Sequence, residues 1–195
     1  FCRRAAALPN LCPHFHLSMQ SGCDSVLARM NRKYDSERYY ESVRLLNEAY
    51  ETPGITTDLI VGFPGETEEE FQQTLAFIRR CAFSAMHIFP YSRRPGTPAD
   101  GMPGQILNSV KEERAHRAQQ AALEMEAAYL DRWVGRTVPV LFEEERDGLW
   151  RGHTTRYSEV AAPSGENLHN QLRQVYIIGR AGNILQGELC EGQEK

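Results

Sequence analysis

Residues 55–71 read ITTDLIVGFPGETEEEF, and no other stretch of the chain narrows its fold so far. Leu59, Ile60 and Val61 form a near-continuous apolar run, the pattern of a strand covered on both faces in a parallel sheet. The run breaks at Gly62-Phe63-Pro64-Gly65 and restarts as an acidic helix. Thr67 and Glu70 read as a capping box, and Glu68 to Glu70 fall where the positive end of the helix dipole favours carboxylates. The acidic start therefore needs no functional explanation. Gly-Phe-Pro-Gly can be a plain turn, with glycine supplying positive φ and proline presetting the bend, or part of a ligand loop. Asp58 is the anomaly: a carboxylate in so apolar a strand must be paired or stand at the strand's solvent-facing mouth. A structural hydrogen bond and a site role both remain open for it.

The same unit recurs on either side. HFHLSM (14–19) alternates like a strand, Gln20-Ser21-Gly22 interrupts it, and CDSVLARM follows as a helix with Ser21 and Asp24 spaced as a capping box. Residues 36–51 place Tyr40, Val43, Leu45, Leu46 and Ala49 near one helical face, and Pro53-Gly54 ends that helix. The helix from Thr67 to about Cys81 buries Phe71, Leu75 and Ile78; AMHIFPY (85–91) is the next strand, and the polar loop SRRPGTPADGMPG follows. Strand, loop and helix in repetition predict a parallel sheet with right-handed crossovers. In such sheets the crevice at the carboxyl ends of the strands holds the ligand, so Gln20-Ser21-Gly22, residues 62–66 and Tyr91-Ser92-Arg93-Arg94 collect on one rim.

The texture changes after a long helix that Ser109 and Glu112 open with a third capping-box spacing and that runs to about Trp133. TVPVLFEE, LWRGHTTR, SEVAAP, RQVYIIG and NILQGELC predict a small antiparallel β-barrel, giving domains at 1–133 and 134–195. Barrels of this size bind RNA through a sheet face and its loops, and Arg151, His153, Arg156, Tyr157 and Arg173 supply donors and a stacking ring. Glu143, Glu144, Glu145, Asp147, Glu159 and Glu166 are interspersed, so charge counting alone favours a plain solvated face, and composition does not settle between the two.

A formal net charge of -4 gives no global attraction for nucleic acid, and any RNA contact must come from a local patch. Five widely spaced cysteines suggest neither a disulfide framework nor a CxxC knuckle, which points to a reducing cytoplasm. No apolar run approaches the roughly 20 residues of a membrane span, so no membrane partner is expected. The start, FCRRAAALPNLCPHFHL, is a poor signal peptide without an initiator Met and reads as cut from a longer chain.

Taken together, CPHFHLSMQSGCDSVLARMNRKY, ITTDLIVGFPGETEEEF, MHIFPYSRRPGTPA and the later VGRTVPVLFEE, GHTTRYSEV and LQGEL resemble the radical S-adenosylmethionine (SAM) methylthiotransferases with their terminal TRAM domain. The resemblance implies an α/β fold made of half a TIM-type radical-SAM barrel followed by the TRAM barrel. It also implies SAM as cofactor and, in a full-length protein, two 4Fe-4S clusters; no CxxxCxxC occurs in this chain, so no metal ligand and no catalytic residue is expected within it. Gln20, Ser21, Gly22, Asp58, Ile60, Gly62, Phe63, Pro64, Phe89 and Tyr91 match the family's nucleoside wall, and Arg93 and Arg94 face the RNA side. The implied reaction cleaves SAM reductively to a 5'-deoxyadenosyl radical, which abstracts hydrogen from an adenine carbon before sulfur and methyl are added. Gln20-Ser21-Gly22, where the branch acting on ribosomal protein has QH, favours tRNA, and the threonylcarbamoyladenosine branch resembles this sequence most. The chain alone is then expected to be inactive, and its exposed half-barrel to self-associate. Two other readings stay open: a non-catalytic RNA-binding module, and another radical-SAM enzyme such as a coproporphyrinogen oxidase-like protein.

Overall fold

The computed structural model describes residues 1–190. A short helix, α1 (Cys2–Ala6), precedes β1 (His14–His16), α2 (Asp24–Arg29) and α3 (Ser36–Ala49). Next come β2 (Gly54–Val61), α4 (Glu68–Cys81) and β3 (Ala85–Pro90), then a 3-10 turn at Pro98–Gly101 and α5 (Asn108–Asp131). The remainder is β4 (Thr137–Arg146), β5 (Leu149–Thr154), β6 (Glu159–Ala162), β7 (Leu172–Ala181) and β8 (Ile184–Leu189). No described helix is long and apolar enough to cross a membrane.

The first three strands form a parallel sheet in the order β1-β2-β3. Its centre is the run that the sequence singled out. Along β2, Ile55, Thr57, Leu59 and Val61 are buried under helices, whereas Thr56, Asp58 and Ile60 are half-buried on the other face, beside their β3 partners Ala85, His87 and Phe89. The covered face packs with Phe71, Leu75 and Ile78 of α4, Val43 and Leu46 of α3, and Ala118, Ala121 and Ala122 of α5. The second module is a closed barrel, β4-β5-β6-β8-β7, around Val140, Phe142, Val160, Val175, Ile177 and Leu185. It is not antiparallel throughout, because β6 and β8 pair in parallel. Five strands cannot alternate in direction around a closed ring, so at least one neighbouring pair has to run the same way.

Several local expectations change. The Thr67–Glu70 capping box forms with both of its hydrogen bonds. The other two do not. Ser21 is buried against Thr74 and Cys23 becomes the N-cap of α2, while Leu107 precedes α5 without any side-chain cap. In α3 it is Tyr39, with Val43 and Leu46, that is fully buried, and Tyr40 is half-buried beside it. Regular β1 ends at His16, and Gln20 resumes the pairing as an isolated bridge to Leu59.

Two features join the modules. Tyr129, Leu130 and Trp133, at and just beyond the last turn of α5, belong to the barrel core. Arg156, in the β5–β6 turn, donates to the carbonyls of Thr52 and Glu51, each at 3.0 Å, and its guanidinium lies 4.6 Å from the Trp133 ring centre. Because Phe142 is fully buried, Phe142→Ala should lower the unfolding free energy by about 3–5 kcal/mol. Urea denaturation checks this, and a loss well under 1 kcal/mol would contradict a packed barrel core.

Candidate nucleoside site at the carboxyl rim

The three breaks meet at the carboxyl edge of the sheet. Gln20, in the left-handed region at φ +70°, donates its N–H to Asp58 O and accepts from Ile60 N–H, both at 2.9 Å. Tyr91 N–H donates to Val61 O at 2.8 Å, and the Phe63 and Tyr91 rings meet edge to face with centres 5.3 Å apart. Gln20, Phe63 and Tyr91 therefore share one rim.

Within that rim the residues differ in what they can touch. Ile60 is half-buried and Phe89 is 51% exposed on the same inward face, where they form an apolar shelf. Asp58, further down this face, is paired through its carboxylate with His16 Nε2 at 3.2 Å, and His16 Nδ1 lies 3.1 Å from Thr56 Oγ1. Ser21, Gly22, Phe63 and Pro64 are buried and stand behind the shelf. Ser21 Oγ contacts Thr74 Oγ1 at 3.3 Å and accepts from Cys23 N–H at 3.2 Å. A side chain at Gly22 would put its Cβ 2.7 Å from that of Phe77, so glycine is what lets the turn lie on α4.

Sequence reasoning missed the groups that fasten the rim. Glu66 Oε2 accepts from Gly62 N–H at 2.6 Å and from Arg114 Nη1 at 2.8 Å, while Arg114 also donates to Glu66 O. Burial pushes the Glu66 carboxyl above the usual carboxylate range, against the pull of the Gly62 amide and Arg114. On the other side, Arg29 donates to Glu70 at 2.9 and 2.5 Å and to Gly65 O at 3.4 Å. That hydrogen bond, helped by Ser25 and the Thr67 amide, holds Glu70 down at about 2. The signal lay in the i, i+3 spacing of Lys111 and Arg114 on one face of α5, but nothing in the sequence tells that this face meets the rim.

The basic residues fall into two groups at opposite ends of the sheet. Arg93 and Arg94 sit on the carboxyl rim; Arg93 is bound to Asp100 at 2.8 Å, and Arg94 makes no ion pair among the described residues. His153, Arg156 and Tyr157 instead line a cleft with His14, Thr56 and Ala85, toward the amino ends of the strands. Tyr157, 68% exposed, stacks between His14 at 5.3 Å and His153 at 4.6 Å. Burial and the charge of His16 lower the pKa of His14. Arg151 pairs with Glu159 at 3.4 Å, His153 with Glu143 at 2.7 Å and Arg173 with Glu166 at 3.2 Å. Arg173 stands on β7, on the far side of β4 from Arg151.

Comparison with known proteins fits this geometry. Residues 2–78 match the model of the Radical SAM superfamily. The chain is 37% identical to the threonylcarbamoyladenosine tRNA methylthiotransferase MtaB of Bacillus subtilis, over 85% of the chain and 38% of that protein. It is equally, 37%, identical to a tRNA-2-methylthio-N(6)-dimethylallyladenosine synthase of Maricaulis maris, over 94% of the chain and 41% of that protein. By sequence, the chain is similar to members of the radical SAM tRNA methylthiotransferase family over most of its length. It spans about two fifths of the length of these relatives.

The family implies SAM and iron-sulfur clusters. The rim fits a nucleoside: the Ile60–Phe89 shelf suits a purine face, and the buried Tyr91 hydroxyl has no partner among the described residues. A cluster fits poorly, since among the described residues no three His, Cys, Asp or Glu side chains are grouped to hold a metal. Burial also pushes the Cys81 thiol up to about 12. No step through a cluster is derived from these residues.

The Arg29–Glu70 pair predicts a pH dependence. The folded-state pKa of Glu70, about 2, lies below its ordinary 4.5, so the pair's contribution is complete above about 4.5 and is lost as pH falls toward 2. Glu70→Gln should be less stable than the parent at pH 7, and the gap should close between pH 4.5 and 2 in denaturant titrations. A gap that stays constant over that range would show that Glu70 is not held ionised by Arg29.

Proposed function

We propose that the chain is the later-strand part of the radical SAM barrel and the TRAM module of a tRNA methylthiotransferase, an enzyme that adds a methylthio group to a modified adenosine beside the anticodon. What carries the reading is the convergence of three parallel strand ends on one rim, with Ile60 and Phe89 forming an apolar shelf there. When bound, SAM supplies the radical chemistry and, with the cluster chemistry of such enzymes, the group transfer.

The residues of this chain contribute binding and shape. Ile60 and Phe89 present apolar surface to the adenine, and the Gln20 and Gly62 backbones bring the walls close. Tyr91 offers a hydroxyl to a polar atom of the nucleoside, and Asp58, held by His16, stands deeper on the same face. Ser21, Gly22, Phe63 and Pro64 hold the wall from behind and help to exclude water. No general acid or base is assigned, because none is required of these residues. The 195-residue chain by itself lacks the activity in this reading, since its described residues group no cluster ligands.

The substrate is a tRNA, with threonylcarbamoyladenosine as the favoured nucleoside; the reading rests on the QSG turn and the MHIFPYSRRPGTPA segment. RNA meets the rim through Arg93 and Arg94 and the barrel through Arg151, His153, Arg156, Tyr157 and Arg173. Most of these cations already have carboxylate or carbonyl partners, so binding exchanges ion pairs for phosphate contacts and should be strongly salt-dependent. A cytoplasmic setting follows from a tRNA substrate. The uncovered inward face of the sheet and the apolar groove between α1 and α3, lined by Phe1, Phe15, Leu17, Leu45 and Leu46, favour self-association of the chain.

Arg151→Ala with Arg173→Ala should weaken tRNA binding about tenfold at 0.1 M salt and flatten its salt dependence by about two counterions. Filter binding across a salt series measures both, and unchanged affinity and slope would remove the barrel from the RNA interface. Light scattering at tens of micromolar should give a mass above that of a monomer; a monomer would end the self-association reading.

A further inference from the structure

The first turns of α5 hold the two loops of the rim together, and one residue there reaches both. Lys111 is 8% exposed. Its stem lies against Gly62 so closely that a side chain on that residue, which is at φ +71°, would overlap it. Its ammonium donates to Tyr91 O at 3.0 Å and lies 5.8 Å from the Tyr91 ring centre. No carboxylate pairs with Lys111 among the described residues. One turn further on, Arg114, 5% exposed, binds both the carbonyl and the carboxylate of Glu66, itself 3% exposed, and the same carboxylate holds Gly62 N–H.

Such burial is costly unless something is gained at the site. A lysine with its stem buried and its ammonium on one neutral acceptor at a part-buried position gives up some of its hydration for a single charge-assisted hydrogen bond. A methionine of similar length would fill the same space without that loss. What the ammonium adds is a fixed distance between α5 and the main chain at Tyr91. Tyr91 O belongs to the residue whose ring meets Phe63 and whose N–H is tied to Val61 O, so this bond holds the main chain from which the Tyr91 ring projects.

We propose that Lys111 is a positioning residue for the nucleoside pocket: it spans the β2–α4 and β3–α5 loops and fixes Tyr91 and Gly62 at the separation that a bound nucleoside requires. The Glu66–Arg114 pair anchors the Gly62 side of this span, and Lys111 supplies the Tyr91 side. The proposal rests on the reading of the rim as a nucleoside site.

The test compares Lys111→Met, Lys111→Arg and Phe63→Ala with the parent chain by two measurements. Amide hydrogen exchange reports the rim loops, and titration calorimetry reports binding of S-adenosylhomocysteine. Lys111→Met should speed exchange at residues 91–94 at least fivefold, with the barrel strands unchanged, and should weaken S-adenosylhomocysteine about tenfold. Lys111→Arg should restore part of both. Parent-like exchange in Lys111→Met overturns the proposal whatever the calorimetry shows, because the loops would then be held without the ammonium. Faster exchange with undiminished binding also overturns it, by separating the loop from the pocket. If the parent chain gives no binding heat, or Phe63→Ala leaves binding unchanged, the nucleoside reading of the rim fails and the proposal with it. Phe63→Ala weakening binding while Lys111→Met matches the parent in both measurements overturns the Lys111 role alone.

Discussion

The carboxylate of Glu66 is the interaction on which the rim depends. A buried carboxylate is tolerated only when it is hydrogen-bonded and paired, and here a backbone amide and a guanidinium from a different element both bind its Oε2. The amide is that of Gly62, whose left-handed conformation turns the chain out of β2; the guanidinium is that of Arg114 on α5. One carboxylate thus ties the strand that carries Asp58 and Ile60 to the helix that leads to the barrel. Removing one partner leaves an uncompensated buried charge, at a cost of about 3–5 kcal/mol.

From this tie the arrangement of the modules follows. α5 holds the rim with Lys111 and Arg114 and enters the barrel core with Leu130, which is roughly 28 Å further along at 1.5 Å per residue. Arg156 returns from the barrel to the carbonyls of Thr52 and Glu51, just before β2 begins. Gly54 admits this approach, because a Cβ there would lie 2.6 Å from Arg156 O. The barrel is therefore fastened at the amino ends of the strands while its connecting helix reaches the carboxyl ends.

Much of this architecture was legible in the sequence, and the reasons are local. The apolar run at Leu59–Val61, the Thr67–Glu70 box and the Phe71, Leu75 and Ile78 stripe are short-range patterns and form the strand, cap and buried face that were read. Only one face of the strand is covered, however, since Ile60 is half-buried and its partner Phe89 exposed. Expectations failed where long-range contacts compete. Ser21 gives up capping because Thr74 takes its hydroxyl in the core, and the barrel acquires a parallel pair because an odd ring cannot alternate. The rim as a meeting place followed from strand order. The Glu66–Arg114 and Lys111–Tyr91 contacts join residues 48 and 20 positions apart on charged segments that look solvated. The pairing of the barrel's cations with Glu143, Glu159 and Glu166 was equally hidden, since composition records charges and not neighbours.

The central claim is that the inward face at the carboxyl ends of β2 and β3 receives a nucleoside. Photo-crosslinking with an S-adenosylhomocysteine analogue that carries a diazirine on the adenine, followed by peptide mapping, tests it most directly. The account predicts label within residues 58–63 and 87–91, displaced by unlabelled S-adenosylhomocysteine. Displaceable label confined to the barrel strands, with none on β2 or β3, would contradict it.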